Sequence, residues 1–169
     1  MIPELLVELD QAGCDEAVLT AGVFVRALVI EPGFFAAWHL VDTELRRITT
    51  GVFLDAIAAK EGLSSDEAQR TADELTELGT ERDLRPRFAH SALLSWQAIF
   101  NVDFERWGFV SHSRPISLDL VAVYLAEVGQ DVVSHRADCE GNVQAIPILM
   151  RHTDDGYRVA GVGLDQSLV

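Results

Sequence analysis

Two aspartates are of the residue type that general acid–base chemistry needs. Asp119 lies near the start of the apolar run 118–127, and Asp42 ends a segment rich in aromatic residues. A carboxylate that faces an apolar pocket has a raised pKa because burial disfavours its charged form, and it can then act as a general base. Asp119 and Asp42 are therefore the candidate catalytic residues. The alternative for Asp119 is a solvent-facing position near the start of its strand.

Three further side chains are candidates for binding a ligand. Trp38 and Asp42 are four residues apart, so they share one face of a predicted helix, with His39 to the side. Tyr124 could donate a proton to a ligand. Asp119 and Tyr124 are five residues apart and point to opposite faces of a regular strand, so they cannot line one pocket without a bulge. The alternative for Trp38 is a core position in which its N–H donates to a carbonyl.

Metal and nucleophile chemistry have no supporting pattern in the sequence. The five histidines show no HxH or HxxxH spacing, and Cys14 and Cys139 are far apart without a CxxC motif. A disulfide between these two cysteines stays open. There is no GxSxG nucleophile elbow and no glycine-rich loop that precedes a helix. We therefore expect no metal site and no cofactor.

The charge balance disfavours two classes of partner. The chain has 13 basic and 27 acidic residues, a formal net charge of −14, which repels nucleic-acid phosphates and anionic membranes. The arginine pairs Arg46/Arg47 and Arg85/Arg87 and the loop 111–114 could hold an anion, or they could pair with surface carboxylates. The N-terminus lacks the pattern of a signal peptide, and no apolar stretch reaches about 20 residues. We expect a cytoplasmic protein that binds neither nucleic acid nor membrane.

Apolar residues recur at helical spacing over the first hundred residues. Asp42 or Thr43 can cap the third helix, and Gly62 can end it. Ser64 and Glu67 have the spacing of a capping box, which predicts the start of the fourth helix. Pro86 suits a helix start. The predicted helices are 15–31, 33–42, 44–61, 64–79 and 86–100.

The apolar period changes from 3.6 to 2 after Trp107, which predicts an antiparallel sheet. The turn Asp154-Asp155-Gly156 predicts a tight hairpin. Pro147 lacks a backbone N–H, so we expect an edge position or a bulge there. The predicted strands are 118–127, 132–136, 143–152 and 157–162, with a short leading strand in 107–111 and 115–116. The fold class is therefore α+β, with N-terminal helices packed on a C-terminal antiparallel meander.

This order of elements resembles the nuclear transport factor 2-like superfamily of α+β cones. The closing segment Asp155-Gly156-Tyr157-Arg158-Val159 is similar to the last hairpin of that family, and the segment 35–46 looks like its helical stretch near the pocket mouth. The resemblance covers roughly residues 15–163 and implies a cone-shaped fold. Isomerase-like members use a carboxylate base deep in the cone, but those residues do not match this sequence one by one. We therefore carry over no catalytic residue.

Three hypotheses about function follow. The leading one is a single cone-like domain over residues 1–169 that binds a small apolar ligand or a protein partner. Leu120 and Ala122 alternate with Val121 and Val123, so both faces of the strand are apolar, which predicts a homodimer through the sheet. The first alternative is an isomerase- or dehydratase-type enzyme with a buried carboxylate base. The second is a structural interaction module.

Overall fold

The computed structural model of this chain describes residues 11–29, 33–77, 84–109, 113–127 and 145–163. These residues form five helices followed by an antiparallel sheet, which confirms the predicted α+β class. The helices are α1 (Gln11–Val29), α2 (Phe34–His39), α3 (Thr43–Glu61), α4 (Ser65–Thr76) and α5 (Leu84–Ile99). The strands are β1 (Trp107–Phe109), β2 (Arg114–Pro115), β3 (Leu120–Glu127), β4 (Ala145–Thr153) and β5 (Gly156–Val162).

The ends of α3 and α4 follow from local sequence signals. Asp42 caps α3, since its Oδ1 accepts a hydrogen bond from the Leu45 N–H at 2.8 Å. Gly62 ends that helix in the left-handed region, at φ 63°, where a residue without Cβ is favoured. Ser64 and Glu67 form the predicted capping box at the start of α4. These three predictions are confirmed.

The predicted 33–42 helix is too long, because residues 40–42 pair with β5 instead of continuing the helix. α2 ends at His39, and the next residues run beside β5 as a single parallel bridge between Val41 and Val159. The Val159 N–H donates to the Leu40 carbonyl at 2.7 Å, and the Asp42 N–H donates to the Val159 carbonyl at 2.9 Å. This pairing satisfies backbone groups that a longer helix would have satisfied within itself. It also ties the start of α3 to the edge of the sheet.

The sheet has the order β1-β3-β4-β5, and β2 pairs with β3 on the same side as β1. The predicted tight hairpin is present between β4 and β5, with a two-residue loop and Thr153 opposite Gly156. Gly156 has φ 94° there, a conformation that β-carbon-bearing residues rarely adopt. The predicted strand 132–136 lies outside the described residues.

Pro147 corrects one prediction. It lies on β4, which pairs with both β3 and β5, so the expected edge position is wrong. The irregularity of the ladder lies further along, where Met150 pairs with Val159 but Leu149 pairs with Gly161. The Pro147 carbonyl accepts from the Gly163 N–H at 3.0 Å, so the proline nitrogen also faces the place where β5 ends. The missing donor therefore removes no bond from the β3–β4 ladder.

The core lies between the helices and one face of the sheet, which we call the inner sheet face. Val121, Val123 and Leu125 of β3 and Ile148 and Met150 of β4 belong to it, and all five are buried. Aromatic rings from four helices, α1, α2, α3 and α5, and from the residue after α5 pack above this face with centroids 5.2–6.3 Å apart. The rings are those of Phe24, Phe34, Trp38, Phe53, Phe88, Trp96 and Phe100.

Over the described ranges, no helix combines the length and the apolar composition that crossing a membrane requires.

Candidate functional site

Trp38 lies at the centre of the aromatic cluster. Its side chain is fully buried, and its ring lies 5.2 Å from those of Phe34 and Phe88 and 5.9 Å from that of Trp96. The indole Nε1–H donates to the Thr76 carbonyl at 3.2 Å, which satisfies its only polar group. In this position Trp38 ties α2 to the end of α4 and fills the space between the layers.

The other two ligand-binding candidates lie elsewhere. His39 is the last residue of α2 and is exposed. Tyr124 is half-buried on β3 opposite Pro147, and its position between Val123 and Leu125 places it on the outer sheet face, away from the helices. The structure therefore does not bring Trp38, His39 and Tyr124 together in one pocket.

Asp42 is the buried carboxylate of the candidate pair, and it is 7% exposed. One carboxylate oxygen accepts from the Leu45 N–H, and the other accepts from Arg151 Nε at 3.0 Å. Both oxygens are thus engaged, in a helix cap and in an ion pair. A general base needs a lone pair aimed at a substrate proton. The observed contacts give Asp42 a structural role instead.

Asp119 lies in the bend one residue before β3. The predicted strand 118–127 had included it. Its side chain is 55% exposed, accepts from the Ser117 hydroxyl at 2.8 Å and lies 3.5 Å from Arg151 Nη1. The Ser117 hydrogen bond is the main reason that the pKa of Asp119 is lowered from its ordinary value. The condition for a catalytic base, a pKa raised by burial, is not met at this position.

Three arginines on or beside β4 and β5 lie near these aspartates. Arg151 and Arg158 lie directly opposite each other on β4 and β5. Arg46, on the first turn of α3, donates from Nε to the Val41 carbonyl at 3.1 Å, beside the bridge between Val41 and Val159. Burial lowers the pKa of Arg46, Arg158 adds to the lowering, and Glu77 and Asp42 oppose it. We call Arg46, Arg151 and Arg158 the arginine cluster.

Sequence reasoning identified Arg46 as a residue that could hold an anion but missed Arg151 and Arg158, although their pairing was readable. A two-residue loop at 154–155 fixes the hairpin register and places Arg151 opposite Arg158. The approach of Arg46 depends on the bridge between Val41 and Val159, which joins segments over a hundred residues apart. No local pattern predicts such a contact.

The outer sheet face is apolar over three successive cross-strand pairs. These pairs are Ala122–Leu149, Tyr124–Pro147 and Ala126–Ala145. Ala122, Ala126 and Leu149 are buried but do not belong to the core between helices and sheet. Apolar side chains therefore continue on both faces of β3 and β4, as the sequence predicts.

Within the part of the chain that the structure describes, no three His, Cys, Asp or Glu side chains come together to hold a metal ion. His152 is exposed, and its ring lies 5.1 Å from that of Tyr157. His112, His135 and Cys139 lie outside the described residues.

Comparison with known proteins adds no relative. No family model, no curated protein and no solved structure matches this chain.

Proposed function

We propose that this chain is a non-catalytic interaction domain that forms a homodimer through its outer sheet face. The observation that carries the proposal is the apolar ladder of Ala122–Leu149, Tyr124–Pro147 and Ala126–Ala145. Each pair adjoins the next on the same face; Tyr124, Pro147 and Ala145 are half-buried, while Ala122, Ala126 and Leu149 are buried within one chain. A row of neighbouring apolar side chains that stays partly exposed favours a protein interface, whereas single exposed apolar side chains are ordinary.

The charge of the protein makes this ladder more informative. Acidic residues outnumber basic ones by 27 to 13, yet none of the positions of the ladder carries a carboxylate. The charged outer-face residues of β4 and β5 in its neighbourhood are Arg151 and Arg158. Two copies with a net charge of −14 repel each other, so an uncharged face is the surface where they can meet at least cost.

The alternatives have less support in the described residues. A small apolar ligand would need space between helices and sheet, where Trp38, Phe88 and Trp96 pack against one another. An isomerase- or dehydratase-type enzyme would need a carboxylate aimed at a cavity, whereas Asp42 is engaged by two donors and Asp119 is exposed. The resemblance to the nuclear transport factor 2-like superfamily, and with it the cone shape, stays a prediction.

The experiment is light scattering coupled to gel filtration on the full chain. We expect a mass near twice 18.6 kDa, with dimerisation strengthened by added salt because salt screens the repulsion between acidic protomers. Tyr124→Lys places a charge in the middle of the ladder at a half-buried position and should give a monomer.

The matched control is Val52→Lys on α3. Val52 is one of the exposed large apolar residues, at 67% exposure, but it lies on a helix rather than on the sheet. This variant should remain dimeric. A wild-type mass near 18.6 kDa, or a dimer that Val52→Lys dissociates and Tyr124→Lys does not, would overturn the proposal.

A further inference from the structure

Within the described residues, one of the three arginines of the arginine cluster forms ion pairs with carboxylates. Arg151 is held by Asp42 at 3.0 Å and lies 3.5 Å from Asp119, so it has carboxylate partners. Arg158 donates from Nη1 to the Tyr157 carbonyl and makes no ion pair with any residue in the described ranges. Like charges directly opposite each other on paired strands are unfavourable unless something compensates them.

Arg46 adds a second guanidinium whose outer edge is not engaged. Its Nε donates to the Val41 carbonyl, and its Cζ lies 5.7 Å from the centre of the Trp38 ring. Within the described part of the chain its terminal nitrogens have no hydrogen-bond partner. Glu77 attracts Arg46 electrostatically but forms no ion pair with it among those residues.

Backbone pairing brings these two arginines to one place. The bridge between Val41 and Val159 joins the residue whose carbonyl holds Arg46 to the residue that follows Arg158. Asp42, the carboxylate next to the bridge residue Val41, already uses both oxygens on Leu45 and Arg151. Two guanidinium groups therefore lie near each other where Asp42 is engaged elsewhere and Glu77 forms no ion pair with Arg46 within the described residues.

We propose that Arg46 and Arg158 form a binding site for an oxyanion, a carboxylate or phosphate group, at the edge of β5. A guanidinium presents planar, paired N–H donors that match the oxygens of both groups. A bound oxyanion would compensate the repulsion between the two arginines and accept from their unused donors. The site is independent of the proposed dimer, because it rests on side chains outside the apolar ladder.

The test is an NMR titration of the full chain that follows the Nε–H signals of its arginines. Inorganic phosphate and succinate are the two probes, added at constant ionic strength with sodium chloride as the balancing salt. We expect saturable shifts at Arg46 and Arg158, and the probe with the lower dissociation constant identifies the oxyanion that the site prefers.

Variants locate the site. Arg158→Gln should weaken binding by about tenfold or more, since it removes charge-assisted hydrogen bonds. Arg158→Lys keeps the charge but loses the planar donor pair, so its affinity for the probe should lie between those of the wild type and Arg158→Gln. Arg70→Gln is the matched control, because Arg70 is exposed on α4 and donates to the Asp66 carbonyl in its own helix. It should leave binding unchanged.

Two results would overturn the proposal. One is the absence of saturable binding for both probes in the wild-type chain. The other is unchanged affinity in Arg158→Gln, provided that its methyl spectrum shows the native fold.

Discussion

The two faces of the same strands differ in what covers them rather than in their composition. Val121, Val123 and Leu125 on the inner sheet face pack under helices whose aromatic rings fill the layer. Tyr124 and Ala126 on the outer sheet face are also largely apolar. Neither belongs to the core cluster in which the described helices pack against the sheet. The apolar pattern along a strand therefore indicates which side chains are favoured in buried positions. Which element covers each sheet face depends on the rest of the molecule.

This comparison predicts two kinds of stability. Contacts on the inner sheet face hold each protomer together, so their loss should lower the free energy of unfolding at every protein concentration. Contacts on the outer sheet face belong to the proposed dimer, so their contribution should depend on concentration.

The largest effect is expected at Trp38. Trp38→Ala removes a fully buried ring and its hydrogen bond to Thr76, and should cost about 3–5 kcal/mol in the free energy of unfolding. Urea unfolding monitored by circular dichroism measures this cost. Trp38→Phe keeps an aromatic ring and should cost less. A cost for Trp38→Ala below about 1 kcal/mol would mean that Trp38 lines an open pocket instead of filling the core.

Asp42 is expected to come next. Asp42→Ala removes the N-cap of α3 and the partner of Arg151, and should cost about 2 kcal/mol in the same urea experiment. Asp42→Asn retains an oxygen for the Leu45 N–H and should therefore cost less than Asp42→Ala. If both variants cost the same, the cap contributes nothing and the ion pair carries the whole effect.

The outer sheet face should give a smaller, concentration-dependent effect. A tenfold rise in protein concentration should raise the melting temperature of the wild-type chain by about 2 °C, because the proposed dimer binds only the folded state. Differential scanning calorimetry at several concentrations checks this. The slope should vanish in Tyr124→Lys, and a slope that persists there would place the interface elsewhere.

Asp119 should give the smallest effect. Its pKa is lowered mainly by the Ser117 hydrogen bond, so its ionised form stabilises the fold above the unfolded pKa of about 3.9, and this stabilisation is lost as the pH falls through the folded pKa. The contribution is small because the side chain is 55% exposed and screened by water. Carboxyl NMR shifts against pH should give a lowered pKa in the wild type and a higher one in Ser117→Ala. A wild-type pKa above the ordinary value would restore Asp119 as a candidate base.

Local signals account for the parts of the fold that the sequence predicts well. The capping box of Ser64 and Glu67, the left-handed Gly62 and the hairpin at Asp154-Asp155 each depend on a few neighbouring residues. Their conformations are decided by backbone sterics and by hydrogen bonds within one turn. Such features are readable before the tertiary structure is known.

Long-range pairing accounts for the parts that the sequence misses. Pro147 is typical of an edge strand, but in this sheet it lies on a central strand with its nitrogen facing the end of β5. This orientation follows from the register of the ladder, which the local sequence does not contain. The early end of α2 and the approach of Arg46 to Arg158 both depend on the bridge between Val41 and Val159. For the candidate site, residue type alone could not distinguish a Trp38 that fills the core from a Trp38 that lines a ligand pocket. The distinction depends on how the packed molecule buries the side chain.

An isotope-filtered nuclear Overhauser experiment tests the central claim most directly, in a mixture of labelled and unlabelled protomers. The chain has two tyrosines, so the ring signals of Tyr124 are readily distinguished from those of Tyr157. We predict contacts between protomers that link the Tyr124 ring to the side chains of Pro147 and Ala145, the other half-buried members of the ladder. Contacts between protomers that involve Val52 or other helical side chains and leave Tyr124 silent, or no such contacts at all, would contradict the account.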